Sequence, residues 1–234
     1  MGENAIFWEK IMADNYYDMT GTITLDKVTP VIKALFGPFE LDENYPGDGT
    51  VYIANIAENS NCSWDEVLDN LQVLASSLGL TPPGNAERNV ENYFRVLARH
   101  FGVDKNSEID RLIEENSFDG DACVETLFAL TLHFDDGHGI KAVQTEGSWH
   151  CSRPHFGAFG GCGEFHGRHV SVARSSQQAA RLGDELEAAL DASQFDRAAQ
   201  CILDDLTSTL NGVASDEARR ATTSKLRELL SQVN

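Results

Sequence analysis

Cysteine and histidine are the residues with the chemistry to act as ligands or nucleophiles, and they crowd into one stretch. Six of the seven histidines lie between His133 and His169, and Cys151 and Cys162 share that window. Cys151, Cys162, His166 and His169 supply thiolate and imidazole donors, which zinc takes at about 2.0–2.3 Å. Their spacing departs from the short C-x-x-C knuckle of structural zinc sites, and no H-E-x-x-H occurs. If 164–173 is a strand, His166 and His169 point to opposite faces, and both reach one ion only through a bend at Gly167. The competing reading places these histidines in a polar loop or in cross-strand hydrogen bonds. No cofactor is therefore expected, with zinc as the alternative. A nucleophilic cysteine would be Cys151 beside His150, or Cys162 in its glycine-rich turn. Activation needs a cation, a histidine base or a helix N-terminus, and neighbours along a strand diverge. The glycines of GAFGGCG (157–163) lack the G-K-[ST] of a phosphate loop, and tight turns account for them. No catalytic residue is assigned.

The same window holds aromatic and basic side chains. Trp149, Arg153, Phe156, Phe159 and Arg168 stand with His150, His155, Phe165 and His166. Aromatics and arginine on a loop suit the anchor of a partner surface. The competing use for Phe156 and Phe159 is to plug the core beneath the loop.

These residues need a frame. Ile6, Phe7, Ile11 and Met12 recur at helical spacing within 3–18. Thr29-Pro30 reads as the start of a helix carrying Val31, Ile32, Leu35 and Phe36, with Thr24 as an earlier cap. Two apolar runs, 39–43 and 50–57, flank NYPGDG and predict a β-hairpin. Ser63 and Glu66 form a capping-box pattern for a helix that Gly79 ends. LTPPGN at 80–85 reads as a linker between residues 1–79 and 86–234. Helices are expected over 86–101 and after Ser107. The stretch 121–134 reads as a buried helix, with a buried strand as its rival. Strands are expected at 140–146 and 164–173, with a loop at 147–163 between them. Ser176, Ser193 with Asp196, and Ser215 open three helices filling 176–233, a helical end suited to packing on a sheet or to forming a homodimer. The sum is an α+β protein with small antiparallel sheets, helices against them and a helical C-terminal part.

Composition narrows the functional classes. The chain has 234 residues, 37 acidic against 18 basic, a net charge of −19. Residues 1–132 carry 23 acids and 8 bases, while 133–174 balance at 4 and 4 and 175–234 hold 10 and 6. Such a field repels phosphate, so direct DNA binding is not expected, and it attracts basic surfaces. Solubility is the plain alternative use of that charge. No apolar run approaches the roughly 20 residues of a membrane span. The first residues lack the basic and apolar regions of a secretory signal. Five scattered cysteines do not form a secreted disulfide pattern. A cytoplasmic location with free thiols is the expectation.

Val51-Tyr52-Ile53-Ala54-Asn55-Ile56, set in this acidic part, resembles the opening of the ArdA-type antirestriction proteins, where it lies near the start of the chain. The DDGHG, SWHC and FGGCGEFHGRH section resembles small accessory proteins of bacterial mobile elements. The first resemblance implies an acidic mimic of DNA that fills the DNA-binding groove of a defence enzyme. The leading expectation is thus a non-enzymatic protein that binds and inhibits a basic, nucleic-acid-binding complex, such as a restriction or CRISPR effector. Carboxylates would stand in for phosphates. The candidates are Asp65, Glu66, Asp69, Glu87, Glu91, Asp104, Glu108, Asp110, Glu114, Glu115, Asp119 and Asp121. The alternatives are a metal-dependent enzyme or metal-stabilised module using the Cys/His cluster, and an oligomeric regulatory module.

Overall fold

The computed structural model describes residues 14–81, 89–153 and 155–232. Six strands form one antiparallel sheet in the order β2-β3-β1-β4-β5-β6. They are β1 (Asn15–Thr24), β2 (Asp42–Gly47), β3 (Thr50–Asn55), β4 (Ala142–Cys151), β5 (Phe159–Gly167) and β6 (Ser171–Ser175). Among the described residues eight α-helices accompany it: α1 (Pro30–Phe36), α2 (Trp64–Ser77), α3 (Val90–His100), α4 (Ser107–Glu115), α5 (Val124–Thr131), α6 (Ser176–Asp191), α7 (Phe195–Asn211) and α8 (Asp216–Leu230). This is the expected α+β class. None of the described helices is long and apolar enough to cross a membrane.

One face of the sheet is covered. Met19 and Ile23 of β1, Val51 and Ile53 of β3 and Val143 of β4 are buried in one core with residues of α1 to α5. These strand positions alternate in sequence, as a sheet with one buried face requires. Trp64, Phe94 and Phe118 meet in the helical layer, with ring centroids 4.8–6.4 Å apart. The opposite face carries Thr20, Thr22, Gln144, Glu146 and Ser148, and no described helix covers that stretch of β1 and β4.

Several expectations change. The helix proposed for 3–18 lies outside the described residues up to 13, and from Asn15 onward the chain is strand β1. β1 pairs with β4 along ten positions, from Asn15↔Cys151 to Thr24↔Ala142. Strands from both sides of 80–85 thus lie in one sheet, and side chains from both sides meet in one core.

The loop expected at 147–163 is mostly strand, since β4 runs to Cys151 and β5 starts at Phe159. Gly157, at φ +79°, lies between the two strands, while Gly147 and Gly160 serve packing. A Cβ on Gly160 would strike the indole of Trp149, and one on Gly147 would strike the ring of Tyr17. Large rings thus lie across glycines on the neighbouring strand. The strand expected over 164–173 breaks at a turn after Gly167 and becomes the end of β5 and the whole of β6.

Other signals hold. The hairpin forms as β2–β3, with a register irregularity between Asp42 and Pro46. Ser63 accepts from Glu66 N at 3.4 Å, although the Glu66 carboxylate takes Asn61 Nδ2 instead of closing the box. Gly79, at φ +69°, ends α2, with Leu80 N donating to Ala75 O at 2.8 Å. Residues 124–131 are helix, which decides between the two readings of that segment. α1 starts where Thr29-Pro30 places it, yet the cap is Asp136 Oδ2, which accepts from Val31 N at 3.0 Å. α7 starts at Phe195 after Gln194, not at a Ser193 cap, because Ser193 sits in the left-handed region at φ +55°.

Candidate functional site

The Cys/His group is spread along the β4–β5–β6 meander. Cys162 and His166 share a face of β5 but stand four residues apart, roughly 13 Å of extended chain. Cys151 is buried at the far end of β4, and His169 lies in the β5–β6 turn. Both nitrogens of His166 are engaged. Nδ1 is 2.9 Å from Ser171 Oγ, and Nε2 is 3.3 Å from Glu164 Oε2. Ser171 Oγ in turn donates to Glu125 Oε1 at 3.3 Å. This network, buried only at His166, ties the N-terminal end of α5 to the sheet. It contains serine, histidine and carboxylate, but the serine proton is directed at Glu125 rather than at the imidazole. Among the described residues, no group of three or more His, Cys, Asp or Glu side chains is placed to hold a metal ion. Tyr17 Oη lies 3.4 Å from Cys162 Sγ, and burial with that thiol raises the phenol above its ordinary range.

The expected aromatic loop is also divided. Arg153 and Phe156 stand exposed on the 152–158 turn, Phe156 with no covering at all. Phe159, 66% exposed, lies on the open sheet face, so neither phenylalanine plugs the core. Trp149 points to the opposite face, over Gly160. Arg168 is at the other end of β5, where Nε and Nη2 donate to Ile140 O at 2.9 and 2.7 Å.

The acidic candidates fall into two groups. On α3, α4 and the connection between them, Glu91, Asp104, Glu108, Asp110, Glu114 and Glu115 form a group that is partly neutralised. Arg95 reaches Asp110 at 3.2 Å and Glu114 at 3.5 Å, Arg111 reaches Glu115 at 2.9 Å, and Glu108 lies 3.9 Å from His133. Glu87 lies outside the described residues.

The second group surrounds the start of α2. Asp65, Glu66 and Asp69 lie on its first two turns. The segment 119–121 pairs beside it, with a Ser63↔Asp121 bridge and Trp64 N donating to Gly120 O at 3.0 Å. Glu40, which the sequence did not single out, joins through Ser60 Oγ at 2.5 Å. No lysine or arginine is ion-paired to Glu40, Asp65, Glu66, Asp119 or Asp121 among the described residues. Their field is felt locally. Burial pushes the Cys62 thiol up to about 12, with the charges of Glu40 and Asp121 adding to it. Close by, Glu58, with burial and Asp14, raises the Tyr16 phenol.

A third surface was not expected. On the open face, Tyr45, Pro46 and Tyr52 line a cleft of about 300 Å³ with Thr20, Thr22, Gln144 and Glu146. The Tyr45 and Tyr52 rings meet edge to face at 5.7 Å. The signal in the sequence is the polar alternation Thr20, Thr22, Thr24 and Gln144, Glu146, Ser148, which marks a solvated strand face.

Fold and surface together define an α+β protein with a half-covered, six-stranded antiparallel sheet. Comparison with protein-family models, with curated proteins and with solved structures found no match.

Proposed function

We propose that this is a non-enzymatic acidic binding protein that inhibits a basic, nucleic-acid-binding complex by occupying the surface the nucleic acid would use. A restriction or CRISPR effector is the kind of target meant. The observation that carries the reading is the unneutralised carboxylate group around α2. Glu40, Asp65, Glu66, Asp119 and Asp121 come from three separate segments, and no cation is paired with them among the described residues. Like charges held together repel one another, and a basic partner relieves that repulsion while being steered by the field.

The test is capture of partners on the immobilised full chain, with and without excess duplex DNA. The expected result is a nucleic-acid-binding protein that DNA displaces and that Glu40→Gln with Asp121→Asn weakens. A partner retained in the presence of DNA and indifferent to those changes would overturn the reading.

A second reading, a homodimer, is favoured by α6 to α8. Their buried residues are only Ala189 and Ala198, while Leu190, Phe195, Ile202, Leu203, Leu229 and Leu230 stay about half exposed or more. Phe195, Ala199, Ile202 and Leu206 share one stripe of α7 at helical spacing. Light scattering at micromolar concentration should then give twice the chain mass, falling to a monomer for Phe195→Asp with Ile202→Asp.

A further inference from the structure

The open-face cleft brings together aromatic rings, acceptors and a carboxylate, with no base among its lining residues. Tyr45 projects from the edge strand and is 60% exposed. Tyr52, Thr22 and Gln144 stand side by side across β3, β1 and β4, and Thr20 and Glu146 form the next row. Glu146 is exposed and has no ion-pair partner among the described residues. The base on its own row is Arg174, beyond Gly163. Arg174 is turned to α7 instead, where it meets Asp205 at 3.2 Å, Ser208 at 3.3 Å and Thr209 at 2.6 Å. The Tyr52 and Glu146 backbones are two strands and one row apart, roughly 12 Å. That gap admits one planar or compact cation between the side chains.

The geometry points to a binding site for a cationic side chain, the guanidinium or ammonium of a basic partner. The charge meets Glu146, the amide and hydroxyl oxygens of Gln144, Thr20 and Thr22 accept its hydrogens, and the stem lies on Tyr45 and Tyr52. Aromatic faces attract cations through their quadrupole, and a nearby carboxylate strengthens the preference. A phosphate group would meet Glu146 with no compensating base, so the cleft selects against anions. This inference rests on the reading of the protein as a binder of a basic partner, and it names a specific anchor point away from the α2 carboxylates.

The test titrates the full chain with a fluorescent tetra-arginine peptide at low salt and compares five variants. Glu146→Gln and Tyr45→Ala should each weaken binding about three- to fivefold, and the pair more than tenfold. Asp184→Asn removes the same charge from an exposed position of α6 and should cost less than about twofold. Tyr52→Leu repeats the aromatic test from the floor of the cleft, and thermal melts confirm that each variant is folded. Amide shifts at Thr20, Thr22 and Gln144 on peptide addition place the contact. Equal weakening by Glu146→Gln and Asp184→Asn would overturn the site in favour of diffuse attraction. Tight binding of a neutral oligosaccharide such as cellohexaose, unchanged in Glu146→Gln, would overturn it in favour of an uncharged ligand. If DNA-displaced capture persists while the peptide ignores the cleft variants, the cleft fails and the acidic reading stands. If no DNA-displaced partner exists, that reading fails and the peptide titration still decides the cleft.

Discussion

At the scale of single residues, Cys62 is the most constrained thiol. Its Sγ donates to Pro38 O at 3.1 Å, and burial with the Glu40 and Asp121 charges holds its pKa up to about 12. In an unfolded chain the thiol ionises near pH 9. Between those values the unfolded state has lost a proton that the folded state keeps, so stability falls as pH rises through that window. Thermal melts from pH 8 to 10.5 should show the decline, and Cys62→Ala should flatten it. Part of the decline should remain, because Tyr17 is raised in the same direction. At pH 8 a thiol reagent should modify the exposed Cys123 rapidly and leave Cys62 intact until unfolding. The ring-over-glycine contacts give a second test. Gly160→Val drives a side chain into Trp149 and should destabilise by about 2–3 kcal/mol in urea titrations. Gly163→Ala meets no atom within 4 Å and should change stability by less than about 1 kcal/mol.

Among the elements, β1 matters most. It is the strand that joins the β2–β3 hairpin to the β4–β6 meander, with β3 on one side and β4 on the other. The helices α6 to α8 are the opposite case. They add two alanines to the buried set and touch the sheet through the start of α6, the contacts of Arg174 and the backbone pairing of 212–214 with 169–171. Ending the chain after Ser175 should leave a cooperative unfolding transition with a midpoint within several degrees of the full chain, measured by circular dichroism. Ser175→Ala breaks the reciprocal Ser175–Gln178 cap of α6. It should cost about 1 kcal/mol of local helix stability, visible as faster amide exchange in α6 with the sheet unchanged.

For the whole molecule, the distribution of charge governs association. A net charge of −19 makes encounter with a basic partner fast at low salt and slower as screening sets in beyond about 0.1 M. The two acidic groups should not contribute equally. Glu114 and Glu115 already face Arg95 and Arg111, whereas Asp119 and Asp121 face no paired cation among the described residues. Asp119→Asn with Asp121→Asn should therefore slow partner association more than Glu114→Gln with Glu115→Gln. Stopped-flow rates at 50 and 300 mM salt would measure the difference, and equal slowing would mean that only total charge counts.

The α+β class, most helix positions, the β2–β3 hairpin and the acidic character follow from local sequence. Helical periodicity, caps such as Ser63 and Ser215, and turn formers such as Asp48-Gly49 act over a few residues and need no partner. Only the tertiary structure decided that β1 lies between β3 and β4, since strand pairing is a contact between residues more than a hundred positions apart. That pairing placed residues from both sides of 80–85 in one sheet and made strand of most of a glycine-rich stretch, where Gly147 and Gly160 receive rings from the neighbouring strand. It also dispersed the Cys/His set along the meander: proximity in sequence within a strand means separation in space, at about 3.3 Å per residue. The same long-range contacts gathered Glu40, Glu66 and Asp121 at one helix end and set Tyr45 across from Glu146, two surfaces that no spacing along the chain could reveal.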